Sequence, residues 1–195
     1  MINPTKISNF SLTVNELEEN LCFWVAVANK TAATISQYID NFFLDLSKQT
    51  GSTFDPNLNS PFELIRNVGD LPTLTELVKK HRFGCFKTKA QGFLELANSG
   101  LNLKTCSIND LEGIHGIGPK TARCFLIHTR ANTRHAGLDT HILRFMRDAG
   151  LNAPTSTPTG KKYQYWENKF LELVPEGVSV ADFDLAVWNL YKDAN

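Results

Sequence analysis

Long apolar runs are missing from the sequence, and so is the apolar stretch that begins a secreted chain. The longest purely apolar segment covers residues 21–28, whereas a membrane-spanning helix needs about 20 such residues. The first ten residues, MINPTKISNF, contain no apolar core of a secretory signal. We therefore expect a chain with no membrane segment and no secretion signal, located in the cytoplasm.

Closely spaced cysteines are also missing. The four cysteines of the chain stand far apart in the sequence, at Cys22, Cys85, Cys106 and Cys124. No pair has the spacing of a metal-binding clip, which argues against a zinc site and against an iron–sulfur cluster. In a chain of this size without a secretion signal, such cysteines are predicted to be reduced thiols.

Excess charge of either sign is missing from the chain as a whole, since 20 Lys and Arg balance 20 Asp and Glu. The distribution is uneven, however: residues 61–150 are net basic, and residues 1–60 and 151–195 are net acidic. A basic central segment is typical of a protein that binds a polyanion such as nucleic acid. An ordinary solvated helix surface explains the same pattern, so charge alone leaves both interpretations open.

Alternating strand patterns are missing as well, and apolar residues recur at helical spacing instead. The chain has 195 residues, of which 42% are hydrophobic, so it is long enough to bury a core as one large domain or two small lobes. The sequence predicts an all-α protein of around ten short helices. The predicted helices cover residues 15–29, 32–48, 62–67, 73–81, 86–98, a short segment that ends at 111, 121–129, 140–148, 161–173 and 180–192. Thr31 is expected to cap the second helix, and Ser107 or Asn109 the one that ends at residue 111. Residues 51–61 are predicted to form a loop.

The most informative segment is LEGIHGIGPKTA, at residues 111–122. Gly116 and Gly118 flank Ile117 in a tight connection between two helical patterns, where glycine permits positive φ and a close approach to another molecule. The following helix is predicted to start near Pro119. Its unpaired N–H groups and positive dipole end would form an anion site for a phosphate. A plain turn between two helices is the alternative that the spacing leaves open.

This segment, together with LDTHILRF at residues 138–145, resembles the helix-hairpin-helix DNA glycosylase superfamily, the group of endonuclease III and the oxoguanine glycosylases. The residues that match the family hairpin are Leu111, Ile114, Gly116, Ile117, Gly118, Lys120, Thr121 and Ala122. Those that match the second motif are Leu138, Asp139, Thr140, His141 and Ile142. Weaker similarities lie at residues 23–36, 82–90 and 182–191. His115 replaces a frequent proline, and no cysteine follows Cys124, which favours a branch without an iron–sulfur cluster.

The resemblance implies a bifunctional DNA glycosylase and AP lyase of base excision repair. Lys120 would be the nucleophile that attacks the sugar and forms a Schiff base, and Asp139 would stabilise positive charge on the sugar. From spacing alone, Lys120 is an ordinary solvated lysine. Asp139 stands where the N-cap of the next helix is expected, and both roles are compatible with one residue.

The resemblance also suggests residues that bind DNA and read the base. The DNA-binding candidates are Gly116, Gly118, Thr121, His141, Asn29 and Lys30, and the base-pocket candidates are Asp184 and Trp188. A monovalent cation, Na or K, would bind the backbone carbonyls of Glu112, Ile114 and Ile117, and no other cofactor is expected. Simpler interpretations stay open: His141 as a surface histidine, Asn29 as a helix-terminal asparagine without a ligand, and Trp188 as a core residue. For Asp184, a solvated carboxylate is slightly favoured.

The predicted architecture is therefore a two-lobed, all-α glycosylase. One lobe would span residues 14–131 and include the hairpin at about 107–131, and the other would join residues 1–13 to 132–195, with the catalytic cleft between them. The expected partner is double-stranded DNA that contains a damaged base, with 8-oxoguanine favoured, and the expected state is a cytoplasmic or nucleoid-associated monomer. Two alternatives stay open: a DNA base-modifying enzyme on the same scaffold, and a non-catalytic helix-hairpin-helix module.

Overall fold

The computed structural model describes residues 2–51, 55 and 59–192, and within these ranges the secondary structure is helical, with no strand. A short 3-10 helix at Pro4–Lys6 precedes ten α-helices, which confirms the predicted fold class. None of these helices combines the length and the apolar composition that crossing a bilayer requires. The helices are α1 (Val14–Val27), α2 (Ala32–Gln49), α3 (Pro61–Val68), α4 (Leu71–Lys80), α5 (Phe86–Asn98), α6 (Ile108–Glu112), α7 (Pro119–Thr129), α8 (Thr140–Asp148), α9 (Gly160–Leu171) and α10 (Val180–Tyr191).

Capping residues explain where most of these helices begin. The Thr31 side chain accepts the Thr34 amide at the start of α2, as predicted. Ser107, rather than Asn109, caps α6 in a reciprocal pair with Asp110. The predicted loop covers residues 51–61, but in the structure Pro61 is already the first residue of α3, and Ser60 caps that helix. Residues 52–54 and 56–58 of that loop lie outside the described residues.

The described chain divides into two compact units. The first unit contains residues 2–4 and 11–117, and the second contains residues 5–10 and 118–192. This division differs from the lobes predicted from the sequence, since it falls inside the predicted hairpin rather than after residue 131. The physical reason is that α7 packs against α10, and therefore belongs with the C-terminal helices.

The first unit is built around α5, which packs against α3 and α4 and also contacts α1. Its interior contains a cluster of phenylalanine rings in which Phe42 contacts Phe83 and Phe93, with ring centroids 5.1 and 5.5 Å apart. All three rings are fully buried. Such offset aromatic contacts add to the stabilisation that burial of the rings provides.

The second unit has its own core, formed mainly by α8, α9 and α10. Leu143, Met146 and Phe170 are completely buried there. The N-terminal residues 5–10 belong to the same unit: the Asn9 amide donates to the carbonyl of His128 at 2.9 Å. The second unit is thus assembled from the two ends of the described chain.

Candidate active site

The hairpin has the local geometry that the sequence predicts, with one exception. Gly116 has φ +79°, a conformation that favours glycine, and a Cβ there would lie 2.9 Å from Cγ2 of Thr88. Gly118 has an ordinary φ of −94° and serves as the N-cap of α7, so it does not use the positive φ that glycine permits. Pro119 is the first residue of α7, as predicted. Thr121, one of the predicted DNA-binding residues, is 4% exposed, so little of it is accessible to a phosphate.

Helix α7 carries three functional groups on one face. Lys120, Cys124 and His128 follow each other at intervals of four residues, which places them above one another along the helix. Lys120 is half-buried, whereas Cys124 is 4% and His128 2% exposed. The face therefore runs from a lysine at the start of the helix to a histidine in the interior.

Asp139 caps the next helix, as its position in the sequence predicts. Its Oδ1 atom accepts the amides of His141 and Ile142, both at 2.9 Å, at the start of α8. The cap uses this one carboxylate oxygen and not Oδ2. The cap therefore fixes the orientation of the Asp139 carboxylate through Oδ1, and Oδ2 takes no part in the capping hydrogen bonds.

Lys120 and Asp139 both belong to the second unit. Their charges influence the pKa of the same two buried groups, Cys124 and Asp184. Burial raises the pKa of the Cys124 thiol to about 12; the positive charge of Lys120 opposes this rise, and the negative charges of Asp184 and Asp139 add to it. Asp184 in turn interacts electrostatically with Lys120 and Asp139. The two predicted catalytic residues thus share one electrostatic environment with Cys124 and Asp184.

Asp184 is buried, which contradicts the slightly favoured interpretation as a solvated carboxylate. It is 6% exposed, and its Oδ2 atom lies 3.4 Å from Nε2 of His128. The Nδ1 atom of His128 in turn lies 2.8 Å from Oγ of Ser8. Burial raises the pKa of Asp184, and the neighbouring His128 opposes this rise. The Oδ1 atom of Asp184 is excluded from solvent and has no hydrogen-bond partner among the described residues.

Trp188 and His141 lie next to each other in the same unit. Their rings meet edge to face with centroids 6.1 Å apart, and both side chains are half-buried. Trp188 follows Asp184 by one helical turn on α10, so the two side chains share a face of that helix. The amino group of Lys192 lies 5.6 Å from the centre of the Trp188 ring.

Asn29 and Lys30 lie in the first unit, on an exposed turn after α1. Asn29 has φ +60°, and its side-chain amide lies 3.9 Å from Sγ of Cys85. This turn is held from inside by Lys89, whose Nζ atom donates to the carbonyls of Ala26, Ala28 and Phe83 at 2.6–2.7 Å. Lys89 thus joins the end of α1 to the segment before α5. Burial lowers the pKa of Lys89 to about 8, so the amine is mostly charged at neutral pH.

We expect Lys89→Met to lower the free energy of unfolding by about 3 kcal/mol, because it leaves three buried or part-buried carbonyl acceptors without their donor. Chemical denaturation at pH 7 measures the effect. Lys87→Met is the matched control, since Lys87 is exposed on the same helix, and its effect should stay within about 0.5 kcal/mol. Equal stability of the two variants would show that the three contacts do not hold the turn.

Gly137 allows the segment before Asp139 to approach α7 closely. A Cβ at this residue would lie 2.3 Å from Sγ of Cys124, a separation that side-chain carbons do not tolerate. We therefore expect Gly137→Ala to destabilise the protein by about 1–3 kcal/mol. Combining it with Cys124→Ala removes the clashing sulfur. The free energy of unfolding of the double variant should then be at least about 0.5 kcal/mol higher than the sum of the two single effects predicts. Strict additivity in thermal or chemical unfolding would exclude the contact as the cause.

The predicted cation site consists of backbone carbonyls in the hairpin of the first unit. The carbonyl of Ile114 accepts the amide of Ile117 at 3.1 Å and keeps a second lone pair. Carbonyl oxygens are suitable ligands for a hard cation, so the set of Glu112, Ile114 and Ile117 stays a prediction. No three His, Cys, Asp or Glu side chains come together in a metal-binding group in the part of the chain that the structure describes.

Sequence reasoning missed His128, Ser8 and Lys89. The spacing of Lys120, Cys124 and His128 at intervals of four residues indicates that they share one face of a helix. His128 could therefore have been predicted to lie on the same buried face as Cys124. No local pattern marks Ser8 or Lys89, because the contacts that define their roles are distant in the sequence: His128 lies 120 residues from Ser8, and Ala26 lies 63 residues from Lys89.

The arrangement of helices is that of the helical DNA glycosylase fold. A solved structure with this fold is Tm1821, the 8-oxoguanine DNA glycosylase of Thermotoga maritima, which matches 97% of this chain and 86% of its own chain with a TM-score of 0.64. The two sequences are 24% identical, so the likeness establishes the fold alone. No protein-family model matches the sequence, and no curated protein matches it. The fold implied by the hairpin motif is thereby confirmed.

Proposed function

We propose that this protein is a bifunctional DNA glycosylase and AP lyase that removes an oxidised base from duplex DNA. The observation that carries the proposal is the placement of Lys120 at the start of α7 and Asp139 at the start of α8 in one compact unit. Both residues act electrostatically on the buried groups Cys124 and Asp184. A lysine and a carboxylate arranged in this way can divide nucleophilic and electrostatic catalysis between them.

In the proposed reaction, the neutral amine of Lys120 adds to C1′ of the damaged nucleotide. The bond between C1′ and the base nitrogen breaks, and the base leaves with the electron pair and takes up a proton. Positive charge that develops on the sugar is stabilised by the carboxylate of Asp139. The sugar ring then opens to an imine between Nζ and C1′, loss of the C2′ proton expels the 3′ phosphate, and water releases Lys120.

The base-reading candidates are Asp184 and Trp188 on α10. A buried acceptor without a partner costs about 1–3 kcal/mol, and such groups are typical of ligand-binding sites. The Oδ1 atom of Asp184 has this property, and it is suited to accept N–H groups from the edge of an extruded base. The 8-oxoguanine that we propose as the preferred substrate presents N–H donors on that edge, so Asp184 is suited to bind it. The half-buried ring of Trp188 is suited to stack on the base.

DNA contacts in this proposal come from the start of α7 and from the exposed turn of the first unit. The amides at the start of α7 have no intrahelical acceptors and would bind a phosphate, with Gly116 and Gly118 allowing a close approach. Asn29 or Lys30 would fill the space left by the extruded base, and His141 would contact a phosphate. We propose that the protein acts as a monomer on nucleoid DNA, needs no iron–sulfur cluster, and holds at most a monovalent cation at the hairpin.

The test uses 8-oxoguanine, a ring-saturated thymine, uracil and an abasic site, each in an otherwise identical duplex. Base release is followed by chromatography, and strand cleavage by denaturing gels with and without alkali. The proposal expects release of 8-oxoguanine with alkali-independent cleavage. Release of the ring-saturated thymine alone would show that the protein prefers an oxidised pyrimidine to 8-oxoguanine. Binding without release would support the non-catalytic module, and an altered base that stays attached would support a base-modifying enzyme.

A further inference from the structure

The segment at residues 136–138, directly before Asp139, is held by a buried tyrosine. The hydroxyl of Tyr163 donates to the carbonyl of Ala136 at 2.7 Å and accepts the amide of Leu138 at 3.0 Å. Burial raises the pKa of Tyr163 well above its usual value, so the hydroxyl keeps the proton that it donates. One side-chain oxygen thus joins both backbone groups on either side of Gly137.

A buried ion pair completes this arrangement. The Oε1 atom of Glu167 accepts the amide of Ala136 at 3.0 Å and Nε of Arg123 at 2.7 Å. Glu167 is 7% exposed and Arg123 7% exposed. Burial alone would raise the pKa of Glu167, but hydrogen bonds from His135, Arg123 and Ala136 outweigh it and lower the pKa. The carboxylate is therefore charged and fixed by several donors.

Arg123 connects the network to the start of α7. Its guanidinium lies 4.5 Å from the centre of the Tyr163 ring, and its NH1 group donates to the carbonyl of Pro119 at 3.2 Å. Pro119 immediately precedes Lys120 in the chain. The network therefore contacts both backbone segments that carry the proposed catalytic residues, the one before Lys120 and the one before Asp139.

Stability alone does not account for these polar groups. A buried ion pair contributes little net stability compared with well-packed apolar side chains of similar volume. A fully hydrogen-bonded network does restrict the backbone to one arrangement. Fixed geometry is valuable in a catalytic site, since a displacement of about 1 Å can lower a rate by about 10²-fold.

We propose that Tyr163, Glu167 and Arg123 are positioning residues: they fix residues 136–138, and with them the carboxylate of Asp139, relative to the start of the helix that carries Lys120. This inference rests on the proposed function, because it assigns the three residues to the base-release step. None of the three contacts the reacting atoms in the proposed reaction. Their loss should therefore lower the rate of base release and leave the affinity for lesion-bearing DNA unchanged.

The test compares Tyr163→Phe with Tyr191→Phe. Both variants lose one tyrosine hydroxyl in the second unit; Tyr191 donates to Asp148 at 2.9 Å, away from residues 136–139 in the sequence. Single-turnover release of 8-oxoguanine should fall about 10- to 100-fold in Tyr163→Phe, with an unchanged Kd for the lesion duplex. Tyr191→Phe should keep the wild-type rate. A wild-type rate in Tyr163→Phe, or a loss that appears only in Kd, would overturn the inference.

A second readout does not depend on activity. The amides of His141 and Ile142 donate to Asp139, so their hydrogen exchange reports whether the cap is held in place. In Tyr163→Phe they should exchange at least about fivefold faster than in Tyr191→Phe; equal exchange would contradict the inference. If Tyr163→Phe fails to fold, Glu167→Gln takes its place, because it keeps the shape of the side chain and removes the charge that Arg123 binds. If the wild type releases no base from any lesion duplex, the proposed function is wrong, and exchange alone then decides whether the network fixes the cap.

Discussion

Lys120→Gln should abolish borohydride trapping of the protein on a duplex that contains 8-oxoguanine, and strand cleavage should fall by at least about 10³-fold. The glutamine keeps most of the length of the lysine side chain but has no amine, so no imine with C1′ can form. Lys120 is half-buried at the second position of α7, where a substitution by glutamine leaves helix formation intact. Denaturing gels after borohydride treatment measure trapping, and the melting temperature and duplex affinity should stay near wild type.

Lys162→Gln is the control for this experiment. Lys162 is an exposed lysine near the start of α9 in the same unit, and its substitution should leave trapping and cleavage at wild-type levels. Retained trapping in Lys120→Gln would show that another lysine forms the imine. The assignment of the nucleophile by resemblance to the family would then be wrong.

Asp139→Asn should slow the release of 8-oxoguanine by about 10²–10³-fold, because it removes the negative charge that, in the proposed reaction, stabilises the cationic sugar. The asparagine oxygen can still accept the amides of His141 and Ile142, so the stability of the protein should change little. Affinity for the lesion duplex should be largely kept. Single-turnover base release, measured beside thermal unfolding, separates the catalytic role of the carboxylate from its capping role.

Asp70→Asn provides the matched control. Asp70 is the N-cap of α4 in the first unit and accepts the Thr73 amide at 2.8 Å. The same chemical change at this cap should leave base release unaffected. If Asp139→Asn released base at the wild-type rate, Asp139 would be a structural cap only, which is the simpler interpretation of its position.

Local sequence patterns predicted the helices well, because the signals lie within a few residues of each element. Thr31 and Asp139 stand directly before helices that they cap, and α5 and α8 have the predicted bounds, Phe86–Asn98 and Thr140–Asp148. The division of the described chain after residue 117 differs from the predicted lobe boundary at residue 131, because it depends on the packing of α7 against α10. No local pattern reports which distant helices meet.

The candidate site could be predicted in part for the same reason. Lys120 and Asp139 are recognisable from motifs, whereas the buried Asp184 contacts His128, which is 56 residues earlier in the chain and belongs to another helix. The network of Tyr163, Glu167 and Arg123 likewise joins side chains whose separation in the sequence hides their contact. Such pairs become visible only when the helices are packed.

The assembly of the second unit from both ends of the chain has a consequence for folding during synthesis. Residues 5–10 leave the ribosome well before their partners: His128 is 120 residues downstream of Ser8, and Asn189 is 184 residues downstream of Thr5. At the usual rates of translation, the delay before the second partner appears is on the order of 10 s or more. The first unit has its residues 11–117 available well before that time. The early segment can therefore join the second unit only after α10 has been synthesised, and the unit that holds Lys120 and Asp139 is completed after the residues of the first unit have emerged.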